Sequence, residues 1–435
     1  MVRKKTVNIL WAVSGVVAAK TLSCNMDVDS VRSRATFMRS PDHAIDQVSD
    51  PSLRLKTVQI FFRHGARTPV RTIPNIEKAN WDEKKLFEGA PDTYIDYDLC
   101  NLDGGPRPEA HVETLYRRER LSGGSFKGQL TARGMNQMYN LGKSYRKHYV
   151  DQIGYLSTEF NSTDIYFRST NIARTIASLR CVVAGLYGKS LKSLKSDPVK
   201  IYLADSESET LYPNWQGCEA VRKFVDNICK NTDVVPGVRH GRLQLQELID
   251  LHEDHHHLDI VSIRDNLIAR LAHGLSYPTF FEPLLDMIER HAIDITMFQM
   301  IAHKDNHSQQ HHLFPLMVGP LVNLILENIG NSIEKKRCPK LYMYSGHDTT
   351  LMPLLAVLNI DVDHWPPWSA DLIIELYENK QSEHFIRVLY MGKEKNVCDS
   401  EEGLIPVEKF QKCLQQYTIK PSDYAKNCSS PVQVQ

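Results

Sequence analysis

The sequence predicts an α/β fold in which a mostly parallel sheet is flanked by helices and carries an inserted helical cap. Three strand-like apolar runs each end at polar residues, namely 58–62, 165–167 and 341–344, and the second and third are followed by a helix signal. Continuous apolar runs are typical of strands buried on both faces of a parallel sheet. The stretch 206–294 instead has helical segments, many charges and few strand-like runs. We therefore expect an α/β body built from 52–205 and 295–435, with 206–294 as the cap.

Composition limits the classes of partner. The chain has 435 residues, of which 42% are apolar, so it can bury one large core or two smaller ones. Its 52 basic and 52 acidic side chains cancel. Without net charge there is no overall field to attract nucleic acid or an anionic membrane, so any attraction for an anion must be local. We expect no nucleic-acid partner.

Residues 1–51 are predicted to be a targeting segment and linker. Three basic residues at 3–5 precede an apolar stretch over 7–19, which is too short for a comfortable transmembrane span and resembles a secretory signal. The lack of acidic residues before Asp27 is equally typical of a mitochondrial presequence, so both alternatives stay open. Of nine cysteines one lies in this segment, and the remaining eight permit disulfides without requiring them.

The first strand-like run leads directly into the segment 63–69, which reads RHGARTP. Open α/β sheets bind ligands beyond the carboxyl ends of their strands. The guanidinium forks of Arg63 and Arg67, with a glycine that lets the backbone approach closely, suit a tetrahedral oxyanion such as phosphate. His64 lies between the two arginines and is a candidate nucleophile or acid/base.

The second strand-like run predicts a further position at the same edge. Before it, residues 71–125 are rich in glycine, proline and aromatic side chains, which predicts a long irregular excursion over the surface. Thr131 is expected to cap the next helix. The run itself ends at Arg168, and Ser169 or Thr170 can cap a helix after it. Arg168 and the positive end of that helix would both favour an anion.

The third strand-like run is followed by His347 and Asp348. Thr349 or Thr350 is expected to cap the helix that comes next. Two later segments alternate apolar and polar residues around a charged turn, which predicts an antiparallel hairpin at the sheet margin: 371–377 and 385–391.

Six side chains are expected to converge at one sheet edge: Arg63, His64, Arg67, Arg168, His347 and Asp348. Three guanidinium groups can neutralise a phosphate dianion and stabilise the charge that develops in the transition state. Two histidines and a carboxylate can supply a nucleophile, a phosphate contact and a proton donor. No metal or other cofactor is expected, because the arginines take the part that Mg²⁺ plays in NTPases.

Two groups of histidines are interpreted as structural or solvated. The segment 252–256, HEDHH, formally matches the HExxH signature of zinc proteases. Its flanking residues are polar, whereas a zinc-protease helix buries an apolar face, so a solvated polar patch is the better interpretation. Of four further histidines between 303 and 312, His307 and His311 share a helix face by spacing, but no carboxylate accompanies this pair as a ligand.

The segment RHGARTP resembles the RHGxRxP signature of the histidine acid phosphatases, within the histidine phosphatase (phosphoglycerate-mutase-like) superfamily. The resemblance implies a phosphohistidine mechanism in which His64 attacks phosphorus and Asp348 protonates the leaving alcohol. It assigns phosphate binding to Arg63, Arg67, Arg168 and His347. With Asp348 as the proton donor, activity is expected to be highest under mildly acidic conditions.

Further segments resemble the branch of this family that hydrolyses lysophosphatidic acid, namely NLDGGPRP, GGSFKGQLTARGMNQM, ADSESETLYPN and WPPWSADLIIELY. This resemblance implies that the substrate is lysophosphatidic acid and that the location is mitochondrial rather than secretory or lysosomal. We also expect a monomer that touches a membrane surface only transiently, to take up lipid. A broad-specificity acid phosphatase of the prostatic or lysosomal type is the alternative. A non-catalytic phospholipid-binding protein and a zinc hydrolase are the other classes to be tested.

Overall fold

The computed structural model describes residues 45–48, 50–193, 198–230, 232–249, 259–301 and 313–429. The HExxH-like segment 252–256, the histidines between 303 and 312, and residues 1–44 of the predicted targeting segment lie outside this part of the chain.

The strands of the described residues form one nine-stranded sheet. They are β1 (Arg54–Arg63), β2 (Tyr97–Asn101), β3 (Ile165–Ser169), β4 (Val199–Leu203), β5 (Leu341–Gly346), β6 (Asp371–Glu378), β7 (His384–Tyr390), β8 (Lys393–Lys395) and β9 (Leu404–Pro406). Their order is β2-β4-β3-β5-β1-β6-β7-β8, with β9 paired to β7. The half from β2 to β1 is parallel, and β6 to β9 extend it antiparallel. The predicted α/β class is confirmed, and the sheet is mixed.

Twelve α-helices occur in the described residues. They are α1 (Glu83–Phe87), α2 (His111–Arg117), α3 (Ala132–Tyr145), α4 (Ala173–Ser193), α5 (Glu219–Lys230), α6 (Val238–Leu248), α7 (Ile260–Ala272), α8 (Leu285–Ile301), α9 (Phe314–Ile333), α10 (Asp348–Val357), α11 (Val407–Gln415) and α12 (Pro421–Cys428). A π-helical turn, Arg146–Gln152, continues α3.

The central strand β1 is buried on both faces, as its apolar run predicted. Ile60 and Phe62 pack into a core with α3 and α4 on one face of the sheet. Phe61 packs with α9 and α10 on the other face. Among the described helices, α9 is long and apolar enough to cross a bilayer, but more than half of it is buried against this core. Burial on both sides fixes the register of β1 and so places the segment 63–69 at the sheet edge.

The stretch 206–294 contains α5, α6 and α7 and the start of α8, which pack around a core that Leu316 of α9 and Met352 of α10 also join. Val221, Leu245, Leu267 and Ile288 are members of that core. A disulfide from Cys218 to Cys428 ties its start to α12. A second disulfide joins Cys398 to Cys413. The domain boundaries drawn from the sequence stay a prediction.

Several local predictions are corrected by the structure. The excursion 71–125 contains β2, an edge strand that pairs in parallel with β4. The hairpin β6–β7 is antiparallel as predicted, but it lies inside the sheet, because β6 pairs directly with β1.

Of the three capping predictions, one is confirmed and two are wrong. Thr131 caps α3 as predicted, since its side chain accepts a hydrogen bond from the amide of Gly134. The other two predictions are wrong: α4 begins only at Ala173, and His347 is the residue that precedes α10. Thr350 instead accepts the backbone N–H of His347 from within the first turn.

Candidate active site

The loop after β1 carries His64, which is 1% exposed. Its backbone N–H donates to the carbonyl of Gly346 at 3.1 Å, so the loop starts by bridging to the end of β5. The ring atom Nδ1 lies 2.9 Å from the carbonyl oxygen of Gly65. A carbonyl oxygen only accepts, so Nδ1 must carry the proton. The lone pair of the neutral ring is therefore on Nε2, which is the atom a nucleophilic histidine needs.

Close packing against α3 fixes the shape of this loop. A Cβ atom on Gly65 would lie 2.4 Å from the carbonyl oxygen of Gly134, so only glycine fits there. The amide of Ala66 donates to the side chain of Gln137 at 2.8 Å. The amide of Thr131 donates to Ala66 at 3.1 Å. These contacts hold the nucleophile candidate on a rigid support.

Arg63 and Arg67 flank His64 as the sequence predicts, and both are buried. Nη2 of Arg63 lies 2.8 Å from Oδ2 of Asp348, and burial lowers the pKa of Arg63 to about 10. Nη2 of Arg67 lies 2.8 Å from Oδ1 of Asp265, a residue of α7 in the predicted cap. Within the described part of the chain, Nε of each of these two arginines has no hydrogen-bond acceptor.

Arg168, the third predicted phosphate ligand, does not join this group. Its guanidinium is 2.9 Å from Glu209 and 2.8 Å from the hydroxyl of Thr210. Arg168 and Phe61 both pair with Tyr344 of β5, so Arg168 lies two residues below Arg63 along the strands, about 7 Å inside the edge. The strand β3 runs on past Arg168 to Ser169, and this extension was not visible in the apolar run.

Arg174 takes the position that the sequence analysis gave to Arg168. It is the second residue of α4 and is 7% exposed, and its Nε and Nη1 have no acceptor among the described residues. Its charge is the strongest electrostatic influence on both active-site histidines. The signal in the sequence was an arginine at the start of the helix after a strand, six residues beyond the one selected.

His347 faces His64 across the edge, with ring centroids 5.5 Å apart. Nε2 of His347 lies 3.0 Å from the hydroxyl of Thr170, at the end of β3. Burial, together with the charge of Arg174, lowers the pKa of both histidines well below the ordinary value. Both rings therefore bind a proton less readily than an ordinary histidine, which favours their neutral form.

Asp348, the first residue of α10, receives donors on both carboxylate oxygens. Oδ2 is 2.8 Å from Arg63 and accepts the indole N–H of Trp365 at 2.8 Å, while Oδ1 accepts the amide of Thr349 at 2.9 Å. Burial alone would raise the pKa of this carboxyl, but Arg63, Trp365 and His347 outweigh it and hold the pKa well below its usual range. Asp348 is therefore a carboxylate in the structure.

Two further observations concern what this edge can bind. Among the described residues, no three His, Cys, Asp or Glu side chains are grouped closely enough to hold a metal ion. A cavity of about 240 Å³ runs from Arg63 and Trp365 between α7, α8 and α10, and most of its wall is apolar. Leu267, Ile288 and Leu355 contribute to that wall. The edge thus combines a cationic cluster with an apolar cavity beside it.

Comparisons with known proteins agree with this geometry. The sequence matches the histidine phosphatase superfamily (branch 2) over residues 54–256 and 302–391. It is 35% identical over 382 residues to lysophosphatidic acid phosphatase type 6 of Homo sapiens, with 87% of this chain and 86% of that protein covered. Prostatic acid phosphatase of Rattus norvegicus is 26% identical over 392 residues, covering 86% and 89% of the two chains.

A solved structure has the same fold. Hafnia alvei phytase in complex with tartrate superposes with a TM-score of 0.54 at 13% identity, covering 88% of this chain and all of that one. The sequence match, the acid phosphatase relatives and this architecture agree with the buried His64–His347 pair and its arginines. The chain belongs to the histidine phosphatase superfamily and is a histidine acid phosphatase, a hydrolase of phosphoric monoesters.

Proposed function

We propose that the enzyme hydrolyses lysophosphatidic acid to monoacylglycerol and phosphate through a phosphohistidine at His64. Nε2 of His64 attacks phosphorus and the bond from phosphorus to the ester oxygen breaks. The leaving oxygen takes a proton from Asp348. A water molecule then attacks the phosphohistidine, gives a proton back to Asp348, and releases phosphate from Nε2.

In this proposal Arg63, Arg67 and Arg174 bind the phosphoryl group, and Arg174 replaces Arg168 in the set named from the sequence. The support is that these three arginines combine buried donors without acceptors among the described residues with a direct electrostatic effect on His64 and His347. Nε of Arg168 also has no acceptor there, but its guanidinium is already paired with Glu209. Three fixed guanidinium groups would stabilise the equatorial oxygens as charge spreads over them. His347, a neutral donor or acceptor, would contact the same phosphoryl group.

The charge balance explains why the reaction should favour acidic conditions. Three arginines are opposed by the carboxylates of Asp265 and Asp348, which leaves one positive charge. A phosphate ester that arrives as its monoanion neutralises this charge and brings the proton that Asp348 lacks. The second ionisation of such an ester has a pKa of about 6. Turnover should therefore be highest below about pH 6, where the monoanion prevails.

The lipid assignment depends on the apolar cavity beside Arg63. An acyl chain entering it would be sequestered between the predicted cap and the body while the headgroup stays with the arginines. The type 6 relatives, which are named for lysophosphatidic acid, add support. Replacing Ile268, which lines the cavity and is half-buried, with tryptophan should reduce turnover of the lipid and spare glycerol phosphate.

The decisive test is phosphate release by the full chain from lysophosphatidic acid and from glycerol phosphate, at pH 4 to 8 with EDTA present. We expect the wild type to favour the lipid and His64→Ala to be inactive on both. His384→Ala, which changes a histidine on β7 outside the active site, serves as the matched control and should retain activity. Activity that survives in His64→Ala would refute the mechanism. Equal turnover of both substrates would support the alternative of a broad-specificity acid phosphatase.

We also propose a mitochondrial location and a monomer that touches the membrane surface only while it takes up its substrate. The two disulfides favour the secretory or lysosomal alternative, because disulfides persist in oxidising compartments. Residues 1–51 fused to a fluorescent protein should enter mitochondria, and secretion of the fusion would reject that location. Light scattering at several concentrations, and sedimentation with vesicles, would test the monomer and the membrane contact.

A further inference from the structure

Trp365 contacts the proton donor with its one polar side-chain atom. Its indole N–H donates to Oδ2 of Asp348 at 2.8 Å, and the same oxygen lies 2.8 Å from Arg63. The residue is 7% exposed and belongs to the segment after α10, outside the helices and strands. A loop residue therefore supplies one of the hydrogen bonds to the carboxylate of Asp348.

Two cap residues fix the orientation of this indole. The backbone N–H of Trp365 donates to Oε1 of Glu289, a residue of α8, at 3.1 Å. Glu289 is ion-paired with Arg264 of α7 at 2.6 Å. The guanidinium of Arg264 lies 4.4 Å from the centre of the Trp365 ring, so it stacks on the indole. Backbone and ring are thus held from the cap side, while the N–H reaches the catalytic side.

We propose that Trp365 is a positioning residue that orients Asp348 and sets its acidity, with Arg264 and Glu289 holding it in place. The inference rests on the proposed function, in which Asp348 protonates the leaving oxygen. An N–H donor stabilises the ionised carboxylate, so it makes the protonated form a stronger acid. A fixed donor also removes rotational freedom from the carboxyl group.

The arrangement further selects the oxygen that carries the proton. Oδ2 accepts the indole N–H of Trp365 and is ion-paired with Nη2 of Arg63, whereas Oδ1 accepts the amide of Thr349. With two donors on Oδ2, the proton from the substrate is directed to Oδ1, which has a lone pair to spare among the described contacts. The leaving oxygen should therefore receive its proton from Oδ1.

Other charges near Asp348 act alongside Trp365. Arg63 at the end of β1 and Arg67 in the loop after it are the cations that face Asp348, and the titratable ring of His347 adjoins it in the chain. Behind the indole, Arg264 and Glu289 form a pair whose charges oppose each other. Removing the indole N–H leaves all of these charges in place, so its effect on the acidity of Asp348 can be measured separately.

The test compares Trp365→Phe with Trp368→Phe across pH 4 to 8. Trp368 belongs to the same segment and its ring faces Arg63, but its indole N–H has no acceptor among the described residues. In Trp365→Phe the alkaline limb of the pH profile of kcat should move up by about one pH unit, because in the substrate complex Asp348 holds the proton that the substrate brings to higher pH. The limb should stay in place in Trp368→Phe. An unmoved limb in Trp365→Phe, or an equal shift in both variants, would overturn the inference.

A second readout does not depend on activity. The chain has five tryptophans, so indole N–H signals can be followed by NMR with ¹⁵N-labelled tryptophan. The signal that is missing in Trp365→Phe should be the one displaced most in Asp348→Asn. If the phenylalanine variant does not fold, benzothienylalanine at 365 keeps the double ring and removes only the N–H. An Asp348→Asn spectrum in which that signal is unchanged rejects the contact, whereas activity in His64→Ala rejects only the mechanism.

Discussion

Two clusters of buried charge occupy the same sheet and differ in how completely they are satisfied. Across β6 and β7, Glu375 and Arg387 are almost fully buried and lie 3.3 Å apart. Tyr149 and Tyr377 donate to the two oxygens of Glu375 at 2.7 and 2.9 Å. We call these four residues the β6–β7 network. At the other end of β1 the arginines around His64 are equally buried but retain donors without acceptors in the described part of the chain.

The comparison indicates what distinguishes a functional cluster from a structural one. Burial is the same in both, so burial of charge alone is not a marker of function. In the β6–β7 network each carboxylate oxygen accepts a hydrogen bond from a neighbouring side chain. Near His64 positive charge exceeds negative charge, and the pKa values of His64 and His347 are lowered by burial and by these arginines. An excess of fixed hydrogen-bond donors suits the reversible binding of an anion.

The largest expected effect is a loss of stability when the β6–β7 network is broken. Arg387→Met leaves the carboxylate of Glu375 buried without its cation, which should cost about 3–5 kcal/mol in the free energy of unfolding. Urea unfolding followed by tyrosine and tryptophan fluorescence would measure this loss. Turnover per folded molecule should be unchanged, because the network lies away from the phosphate cluster.

The double variant Arg387→Met, Glu375→Gln is the control. It removes the unpaired charge and should recover part of the lost stability. If Arg387→Met lowered kcat without lowering stability, the two clusters would be coupled and the contrast between them would be wrong.

The second effect concerns the phosphate cluster. Arg174→Met should reduce kcat by about 10²–10³, the usual consequence of losing one preorganised donor to the transition state, or about 3–4 kcal/mol. Arg168→Met is the matched control, because Arg168 is also a buried arginine near the same edge but is paired with Glu209. We expect that variant to lose stability while its folded fraction retains most of its kcat. The opposite order of the two kcat values would restore Arg168 as the phosphate ligand.

The sequence predicted the residues of this site that adjoin strand ends. His64, His347 and Asp348 directly follow the ends of apolar runs, and parallel pairing of β1 with β5 brings those ends together. Arg168 was misplaced because its position depends on where β3 ends relative to β5, which the apolar run does not reveal. Because Arg168 lies two residues before the edge along the strand, its guanidinium is inside the sheet and not at the edge where it was predicted.

Contacts between distant parts of the chain were not predictable in this way. Asp265 reaches Arg67 from 198 residues away, and Trp365 joins Asp348 to Glu289. No local period or motif marks such pairs, because they depend on how α7 and α8 pack over the sheet edge. The edge strand β2 was missed for a related reason. It is short, its composition does not indicate a strand, and it is extended because it pairs with β4.

The third effect is stabilisation by an anion. Inorganic phosphate at 100 times its Kd should stabilise the folded enzyme by about 2.7 kcal/mol, because it binds the folded state alone. Thermal unfolding with and without phosphate would measure the increment. Arg387→Met should show the full increment despite its lower starting stability, since its phosphate cluster is intact. Arg174→Met should show a smaller one. Equal increments in the wild type and Arg174→Met would remove Arg174 from the phosphate site.

The smallest effect is the loss of stability in acid that follows from burying neutral histidines. The folded-state pKa of His64 lies below the unfolded value near 6.5. Below that pH, His64 therefore binds a proton in the unfolded chain but not in the folded chain. Stability is therefore full above about pH 6.5 and falls as the pH drops. A histidine that stays neutral in the folded state down to pH 5 would account for about 2 kcal/mol of that fall between pH 7 and 5. His347, His148, His273 and His291 have pKa values lowered by burial and add to the fall.

Single substitutions isolate the share of His64 in this fall. His64→Asn removes one buried base, so the difference in unfolding free energy between pH 7 and 5 should shrink by about 2 kcal/mol. His111→Asn changes a histidine that is well exposed, and the difference should stay as in the wild type. Asp348 does not confuse the comparison, because its lowered pKa makes its contribution disappear only below about pH 4, outside the window. Urea unfolding at the two pH values measures the difference. An undiminished difference in His64→Asn would mean that His64 titrates in the folded state, and a neutral nucleophile in acid would have to be abandoned.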